Sequence, residues 1–347
     1  MKKERLIGKT LKELQELSLS LGLPKFAGAQ MARWLYVKKV RSISMMTDLS
    51  KAARAKLEES CEVGVTEPIS VLTSVDLTRK YLFPVDNGRE KSAIETVMIP
   101  DGDRATLCVS SQSGCRMGCR FCMTGRQGFH GHLSAADIIS QFLAVEESDR
   151  LTNTVFMGMG EPLDNYDNVM KVIEILTSDW GFGWSPKRIT LSTIGVLPNL
   201  KRYLEDCRCH LAVSLHNPFP EERLGMMPVQ KAWSITEVVR MIRQYDFSGQ
   251  RRVTFEYTMF EGFNDTPRHA DALIRLLRHL ECRVNLIRFH QIPDFPYRTS
   301  SPERIEAFRK RLNDAGITAT LRASRGEDIL AACGLLAGEH NSRQVQE

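Results

Sequence analysis

Apolar and polar residues alternate with three different spacings along the chain. Up to residue 60, apolar positions recur at helical spacing over residues 11–21, 29–38 and 48–59, with a break at Pro24-Lys25-Phe26. Residues 65–100 then alternate apolar and polar positions around a turn at residues 86–88, as in a β-hairpin or short meander. Beyond residue 101, short apolar segments alternate with helical segments of ~10–15 residues.

The region after residue 101 contains six candidate strands. They cover residues 105–110, 153–157, 188–192, 210–215, 252–258 and 284–289. Six strand–helix alternations predict an α/β fold with a parallel sheet curled into a partial (β/α)6, TIM-like barrel, in which binding groups lie just past the carboxyl ends of the strands. The predicted domains are an N-terminal helical accessory domain (1–62), a β-hairpin or linker region (63–100), the barrel with a C-terminal cysteine segment (101–340) and a tail (341–347).

The composition is typical of a globular protein in a reducing compartment. Of 347 residues, 42% are hydrophobic and 26% are charged, and no apolar run approaches the ~20 residues that cross a bilayer. The N-terminus is too polar for a secretory signal. Nine cysteines, an odd number at uneven spacing, argue against a secreted disulfide framework. We therefore expect a cytoplasmic protein without a membrane segment.

Positive charge is concentrated at the N-terminus. Residues 1–60 hold 13 Lys+Arg against 6 Asp+Glu, a net +7, so the other 287 residues sum to −2 in a chain of net charge +5. Such a module is a candidate for RNA binding, although charge alone is more often a solvated helical face. Trp34 and Tyr36 could stack on bases, but aromatic residues at helical spacing more often belong to a core.

Three cysteines form a C-x3-C-x2-C run directly after the first candidate strand. They are Cys115, Cys119 and Cys122, in a loop that also contains Gly114 and Gly118. Thiols this close together favour a metal site. Structural zinc sites have four ligands, and no well-spaced fourth ligand is present. A 4Fe-4S cluster held by three thiolates leaves one iron open, which indicates chemistry rather than a purely structural role.

Several polar residues lie at or near strand ends, where a barrel places its ligands. Gly160 and Glu161 belong to a G-x-G-E-P segment after the second strand, in which glycines admit a ligand and a carboxylate accepts from an ammonium group. Four others share this rim or its strands, together with one apolar neighbour: Ser192, Ser214, Leu215, His216 and Asn285. Each alone is more typical of a satisfied strand-end group, and a lone Glu95 in an apolar strand is more typical of a residue facing outward.

The six remaining cysteines have no metal-site spacing. Cys108 and Cys333 would by themselves be interpreted as buried structural thiols. Cys61, Cys207, Cys209 and Cys282 are interpreted in the same way. A zinc site at Cys207 and Cys209 is disfavoured because thiols one residue apart on a strand point to opposite faces.

The cysteine run resembles that of the radical S-adenosylmethionine (radical SAM) enzymes, and the chain as a whole resembles the RlmN family of RNA adenine methyltransferases. The resemblance rests on blocks in order along the chain: LPKFAGAQMARWLY, SSQSGC, CRFCMTG, QGF, MGMGEPLDN, RITLSTIGVLP, LAVSLHNP, VNLIRFHQ and SRGEDILAACGLLAG. It implies a radical SAM barrel preceded by an accessory domain that helps to hold RNA.

The resemblance also implies roles for individual residues. Cys115, Cys119 and Cys122 would hold one 4Fe-4S cluster, and SAM would contact Gly160, Glu161, Ser192, Ser214, Leu215, His216 and Asn285. Cys333 would carry a methyl group from a first SAM, and a second SAM would supply the radical, which makes two per turnover. Glu95 would accept the proton from the ring. Cys108 would release the product by forming a disulfide with Cys333.

The implied reaction is methylation of carbon 2 of adenosine 2503 in 23S ribosomal RNA and of adenosine 37 in transfer RNAs, by a monomer. It would need a flavodoxin-type electron donor and a thiol reductant. One alternative is the sister carbon-8 methyltransferase that confers antibiotic resistance, and Cys122-Met-Thr-Gly-Arg departs from the Cys-Ser-Thr-Ala run of many carbon-2 members. A non-catalytic Fe-S RNA-binding protein is a third interpretation, disfavoured because binding alone needs neither Cys108 nor Cys333.

Overall fold

The computed structural model describes residues 3–86, 91–247 and 251–337. The α-helices are α1 (Leu11–Ser20), α2 (Ala27–Ala32), α3 (Lys51–Ser60), α4 (Met123–Arg126), α5 (Ala135–Ala144), α6 (Tyr166–Thr177), α7 (Leu197–Asp206), α8 (Pro220–Met226), α9 (Ile235–Ile242), α10 (Pro267–Leu277) and α11 (Pro302–Asp314). A π-helical turn follows α2 at Arg33–Val37, and 3-10 turns lie at Ile43–Met45, Pro162–Asn165, Pro186–Arg188 and Pro228–Lys231.

The strands are β1 (Glu4–Arg5), β2 (Cys61–Glu62), β3 (Ser70–Thr73), β4 (Arg79–Asp86), β5 (Lys91–Asp101), β6 (Arg104–Cys108), β7 (Gln112–Gly114), β8 (Phe129–His132), β9 (Asn153–Phe156), β10 (Ile189–Thr193), β11 (His210–Ser214), β12 (Val253–Met259), β13 (Arg283–Arg288) and β14 (Thr318–Leu321). Ten of them form one sheet in the order β14-β13-β12-β11-β10-β9-β6-β5-β4-β3. Two small sheets, β1-β2 and β7-β8, lie outside it.

The large sheet changes direction at β6. From β6 to β14 every neighbouring pair of strands is parallel, for example Cys108 opposite Val155. From β3 to β6 the pairs are antiparallel. The β-region before the cysteine run is therefore continuous with the barrel sheet. Part of the turn predicted at residues 86–88 and the whole tail at 341–347 lie outside the described residues.

The predicted α/β barrel fold is confirmed, but the strand count was one too low. Among the described residues, seven strands rather than six run parallel, because Thr318–Leu321 pairs with β13. In this strand only Ala319 is buried, so its sequence lacks the apolar run that identified the others. The bounds of the six predicted strands agree with the observed strands to within two residues.

The barrel helices cover the sheet with apolar faces. Helix α5 begins with a capping box between Ser134 and Asp137 and buries eight of its ten residues. Helices α7, α8, α10 and α11 each have proline in the first turn, where its missing N–H costs nothing. None of the helices within the described ranges is long and apolar enough to span a membrane.

The N-terminal helices pack on one another and on the barrel. Thr10 and Glu13 form a capping box at the start of α1, and Ser50 caps α3. Trp34 and Tyr36 are buried, and the Tyr36 ring lies 5.9 Å from that of Trp180, centroid to centroid, so these aromatic residues belong to a core. Arg5 forms an ion pair with Asp137. The N-terminal unit is thus joined to the barrel by apolar and ionic contacts.

Candidate active site

A cavity of about 170 Å³ opens at the carboxyl ends of the parallel strands. Nine residues that the sequence singled out line it together: Cys115, Cys119, Cys122, Gly160, Glu161, Ser192, Ser214, His216 and Cys333. Leu215, Asn285, Cys108 and Glu95 are not among its lining residues. These nine residues come from five chain segments, and their common placement at one end of a barrel is the arrangement expected of an active site.

The cysteine loop is held in shape by glycine and by a short helix. Gly114 has φ +71°, and a Cβ atom there would lie 2.0 Å from the Gly128 carbonyl oxygen, which instead accepts from the Cys115 N–H at 2.7 Å. Cys122 is the residue before α4. Burial raises the pKa of Cys115 to about 12 and also raises the pKa values of Cys119 and Cys122. The three thiols thus need a bound cation to be stable as thiolates.

The spacing of these thiols suits a cluster rather than a single ion. Within the described ranges, no three His, Cys, Asp or Glu side chains converge as the ligands of one metal ion would. In a 4Fe-4S cluster each thiolate binds a different iron, so the sulfurs stay farther apart than ligands of one zinc ion. Cys115, Cys119 and Cys122 face one cavity, and the charge of Cys122 raises the pKa of both Cys115 and Cys119, so this donor set fits such a cluster.

The segment after β9 requires glycine next to the cysteine loop. Gly160 has φ +100°, and a Cβ atom there would lie 2.5 Å from Cβ of Gln112. The Gln112 side-chain oxygen accepts from the Glu161 N–H at 2.8 Å, which ties the two loops together. The Glu161 carboxylate accepts from the backbone N–H groups of Leu163 at 3.0 Å and Ile194 at 2.9 Å. Burial nevertheless raises the pKa of Glu161 to about 7.

His216 presents a hydrogen-bond donor to the cavity. Its Nδ1 accepts from the Thr258 N–H at 3.0 Å, so the proton of the neutral ring is on Nε2. Burial lowers the pKa of His216 to about 3, and the nearby Arg223 lowers it further. His216 is therefore neutral at physiological pH. Its neighbour Leu215 is fully buried beneath the rim.

Asn285 lies one step behind the cavity wall. Its Nδ2 donates to Glu256 Oε1 at 3.0 Å, and Thr320 donates to its Oδ1 at 2.7 Å. Glu256 itself lines the cavity and is buried. Among the described residues its Oε2 has no hydrogen-bond partner, and it lies 3.9 Å from Nη1 of Arg322. No spacing pattern in the sequence indicates Glu256 or Arg322. The only signal for Glu256 is that it is an isolated acidic residue in the apolar strand β12.

A fully buried arginine supports the rim from behind. Arg223 donates to the carbonyl oxygens of Leu215 and Ser214, both at 3.0 Å, and to Gln230 Oε1 at 2.6 Å. Burial lowers the pKa of Arg223 to about 10, and the charge of Cys119 opposes that effect. Arg223 thus fixes the turn after β11 and places a positive charge near the cysteine loop. Its position inside α8 gave no indication of this role.

Cys333 lies exposed at the mouth of the cavity, on a segment attached to α4. The Gly334 carbonyl oxygen accepts from the Met123 N–H at 2.8 Å, and the Leu336 carbonyl oxygen accepts from the Thr124 hydroxyl at 2.6 Å. Gly334 has φ +86°. The chain around Cys333 is therefore fixed to the helix that begins at the third cysteine of the run.

Cys108 is buried at the end of β6, close enough to Cys333 for their charges to interact. Burial raises the pKa of Cys108 to about 12, and the charge of Cys333 raises it further. Both cysteines are free thiols. The structure thus brings together two thiols that lie 225 residues apart in the chain.

Glu95 points away from solvent and toward the segment that carries Cys333. Its Oε2 accepts from the Ala337 N–H at 2.7 Å, and its Oε1 lies 2.8 Å from the Lys80 ammonium group. Both side chains are buried. Glu95 therefore does not face outward, and Lys80 is a partner that the sequence pattern did not indicate.

The other four cysteines lie away from the cavity. Cys207 and Cys209 precede β11 rather than lying on it, and the Cys209 N–H donates to the Cys207 sulfur at 3.4 Å. The expectation that they point to opposite faces of a strand was therefore wrong. Cys61 is buried and Cys282 is half-buried.

Comparison with known proteins identifies the family. Residues 109–276 match the model of the radical SAM superfamily, and residues 5–63 match that of the ribosomal RNA large subunit methyltransferase N-terminal domain. A relative from Porphyromonas gingivalis, named as an RlmN RNA methyltransferase, is 56% identical over 97% of this chain and 94% of its own length. The chain belongs to the RlmN family.

More distant relatives cover the chain to the same extent. The "Dual-specificity RNA methyltransferase RlmN" of Syntrophus aciditrophicus is 42% identical over 95% of both chains. The crystal structure of a radical SAM methyltransferase from Sphaerobacter thermophilus is 39% identical, covers 97% of this chain and superposes with a TM-score of 0.90. The predictions of a radical SAM barrel and of an RNA methyltransferase are confirmed at this level.

Proposed function

We propose that the protein methylates carbon 2 of an adenosine in RNA, with adenosine 2503 of 23S ribosomal RNA and adenosine 37 of transfer RNAs as targets. The observation that carries the proposal is the joint placement of two kinds of cysteine at one cavity. Three thiols suit a cluster, and Cys333 at the mouth lies close to Cys108. The Syntrophus relative's name supports two classes of RNA substrate.

Carbon 2 of adenine is a poor nucleophile, so a carrier is needed. The Cys333 sulfur, exposed at the cavity mouth, displaces the methyl group of a first SAM and forms a thioether. When bound, the 4Fe-4S cluster on Cys115, Cys119 and Cys122 and a second SAM supply the one-electron chemistry that removes hydrogen from this methyl group. The carbon on Cys333 then bonds to the adenine ring.

The remaining residues complete the turnover. Glu95 takes the proton of the ring carbon, and the one electron that the ring radical must also lose returns to the electron-transfer partner. Lys80, at 2.8 Å, stabilises the carboxylate form of Glu95. Cys108 forms a disulfide with Cys333 as the methylated base departs. A thiol reductant must then restore both thiols.

SAM is held by residues of the rim. Glu161, beside Gly160, accepts from the amino group, and the uncharged His216 donates from Nε2. Ser192 and Ser214 line the same wall. Leu215 and Asn285 support the rim from behind it, Asn285 through Glu256.

The substrate and partners follow from the same chemistry. The target adenosine must leave its stack to enter the barrel, and the basic N-terminal unit binds the RNA backbone. We propose that the protein acts as a monomer in the cytoplasm and receives electrons from a flavodoxin-type donor.

The test is mass spectrometry of nucleosides from RNA treated with the anaerobically reconstituted enzyme, SAM and a reductant. We expect 2-methyladenosine in both 23S ribosomal RNA fragments and transfer RNA. Formation of 8-methyladenosine instead would assign the sister reaction. RNA binding without any methylated adenosine would support the non-catalytic alternative.

A further inference from the structure

Arg322 closes the cavity wall between the last and the first parallel strands. It directly follows β14, and its backbone N–H donates to the Leu286 carbonyl oxygen at 2.8 Å. Its guanidinium group extends into the cavity, with Nη1 3.0 Å from the Met157 sulfur. Met157 directly follows β9, the strand that pairs with β6. The arginine therefore reaches from β14 to the end of β9, the strand beside β6, which ends at Cys108.

The same guanidinium group faces three groups that carry or can acquire a negative charge. Cys333, Glu256 and Cys108 together raise the pKa of Arg322 above its ordinary range. Glu256 Oε2 lies 3.9 Å from Nη1, beyond a hydrogen bond, so the carboxylate does not fully occupy the arginine. The guanidinium group of Arg322 therefore still has N–H donors that can bind a thiolate.

Cys108 is the group that most needs this cation. Burial raises the pKa of Cys108 to about 12 and the charge of Cys333 raises it as well, whereas Arg322 lowers it and the Met157 N–H donates to its sulfur. These are the charged and titratable groups that act on Cys108. A thiol becomes a nucleophile only as its thiolate.

We propose that Arg322 is a positioning residue that holds the Cys108 thiolate against Cys333 for the disulfide-forming step. This inference rests on the proposed cysteine route. Met157 assists by binding the guanidinium group through its sulfur at 3.0 Å, which aims the cation at the end of β6.

The step balances without an added oxidant or reductant. The Cys108 thiolate attacks the Cys333 sulfur of the RNA adduct, so an S–S bond forms and the S–CH2 bond to the base breaks. The electron pair of the broken bond stays on the carbon, which takes one proton and becomes the methyl group. The Cys108 thiolate and the Cys333 thioether sulfur are together oxidised to a disulfide while the methylene carbon is reduced to methyl.

The experiment compares Arg322→Met with Arg311→Met, both purified anaerobically from cells. Arg311 is an exposed arginine of α11 that pairs with Asp271 of α10 at 2.6 Å, so it controls for the loss of an arginine. We expect Arg322→Met to carry at least about tenfold more covalently bound RNA per polypeptide than wild type, with Cys333 as the attachment site. Arg311→Met should resemble wild type.

The pH dependence distinguishes a thiolate effect from a structural one. Isolated adduct of Arg322→Met, incubated without SAM, should release methylated RNA faster by about tenfold per pH unit, because the thiolate fraction of Cys108 rises by that factor. Arg322→Lys keeps the positive charge and should carry clearly less adduct than Arg322→Met. Release that does not depend on pH would overturn the proposal.

Two other results for the Arg322 variants would contradict the proposal, and a third result would contradict the cysteine route on which it rests. Arg322→Lys or Arg322→Met protein with methylated Cys333 and normal SAM cleavage but no adduct would also contradict this role. Loss of Cys333 methylation in both variants would show that Arg322 acts earlier, again against the proposal. If instead Cys108→Ala lacks adduct and wild-type Cys333 is never methylated, the cysteine route itself fails, whatever Arg322 does.

Discussion

Lys80 and Glu95 form an ion pair at 2.8 Å in which both side chains are almost completely buried, at 8% and 3% exposure. They lie on neighbouring antiparallel strands, and the second carboxylate oxygen of Glu95 holds the chain four residues beyond Cys333. A buried ion pair adds little net stability, because the cost of desolvating the two charges offsets most of their attraction. Its main effect is to fix where the charges lie. Its position links the β-region to the cysteine segment.

Lys80→Met should therefore lower the free energy of unfolding by roughly 3–5 kcal/mol, because the carboxylate stays buried while the ammonium group is lost. Urea unfolding of the anaerobic protein measures this. Glu95→Gln in the same chain should restore much of the loss. Lys12→Met removes an exposed pair at 4.0 Å and should change stability by less than about 1 kcal/mol. Equal effects of the two lysine changes would refute the assigned burial.

Each cysteine of the cluster loop should be indispensable for iron. Replacement of Cys115, Cys119 or Cys122 by Ala should abolish the brown colour of the anaerobic protein and its cleavage of SAM. Cys207→Ala and Cys282→Ala lie away from the cavity and should keep full iron content. Iron analysis and the visible spectrum are the readouts. A loop variant with normal iron would contradict the cluster assignment.

SAM affinity should depend on pH through Glu161. Burial raises the pKa of Glu161 to about 7, so the carboxyl group is mostly neutral below that pH and ionised above it. Since only the carboxylate attracts the ammonium group of SAM, affinity should rise by about tenfold per pH unit up to pH ~7 and then level off. Equilibrium binding to the cluster-loaded protein tests this. Glu161→Gln should bind weakly at all pH values; a wild-type profile without a step would argue against the contact.

The sequence predicted the barrel because its strands are apolar runs separated by helical segments. The strand Thr318–Leu321 was missed, because only one of its residues, an alanine, is buried and the strand therefore has no apolar run. Among the site residues, those in segments with a distinctive spacing, such as Cys115 and Gly160, were found, because a loop that binds a ligand closely restricts several neighbouring positions at once.

Isolated charged residues of the site could not be predicted from the sequence. Arg322, Glu256 and Arg223 become meaningful only through contacts with distant segments, such as the 3.9 Å separation of Arg322 from Glu256. Nothing in the spacing of the chain encodes which strands become neighbours across a barrel. Cys108 and Cys333 were assigned through the family resemblance, since burial alone is equally typical of a structural thiol.

The exposed cations of the N-terminal unit should set the salt dependence of RNA binding. Lys25, Arg33 and Lys51 are exposed. Changing all three to Ala should reduce the slope of log affinity against log salt by about 2–3, because each phosphate contact contributes about 0.7–0.9. Filter binding over a salt series measures the slope.

The matched control for this surface changes three barrel cations to Ala: Lys201 and Lys310, which are exposed, and Arg309, which is half-buried. The slope should not change in this variant. SAM cleavage without RNA should be normal in both triple variants. An N-terminal variant with an unaltered slope would mean that its charge is only a solvated face.

Cys333 is proposed to carry the methyl group and Cys108 to release the product. Two single variants distinguish these roles. Cys333→Ala lacks the methyl carrier, so neither a methylated cysteine nor an RNA adduct can form. Cys108→Ala still carries Cys333, so methyl transfer and ring attachment proceed. Without Cys108, however, no disulfide can form and the adduct is not released.

The most direct measurement is the amount of RNA that stays on the purified protein under denaturing conditions after nuclease trimming, determined by mass spectrometry. We expect covalent RNA on Cys333 in Cys108→Ala, and none in Cys333→Ala or the double variant. Cys108→Ala protein with full iron content but free of RNA would contradict these roles and would leave both residues as structural thiols.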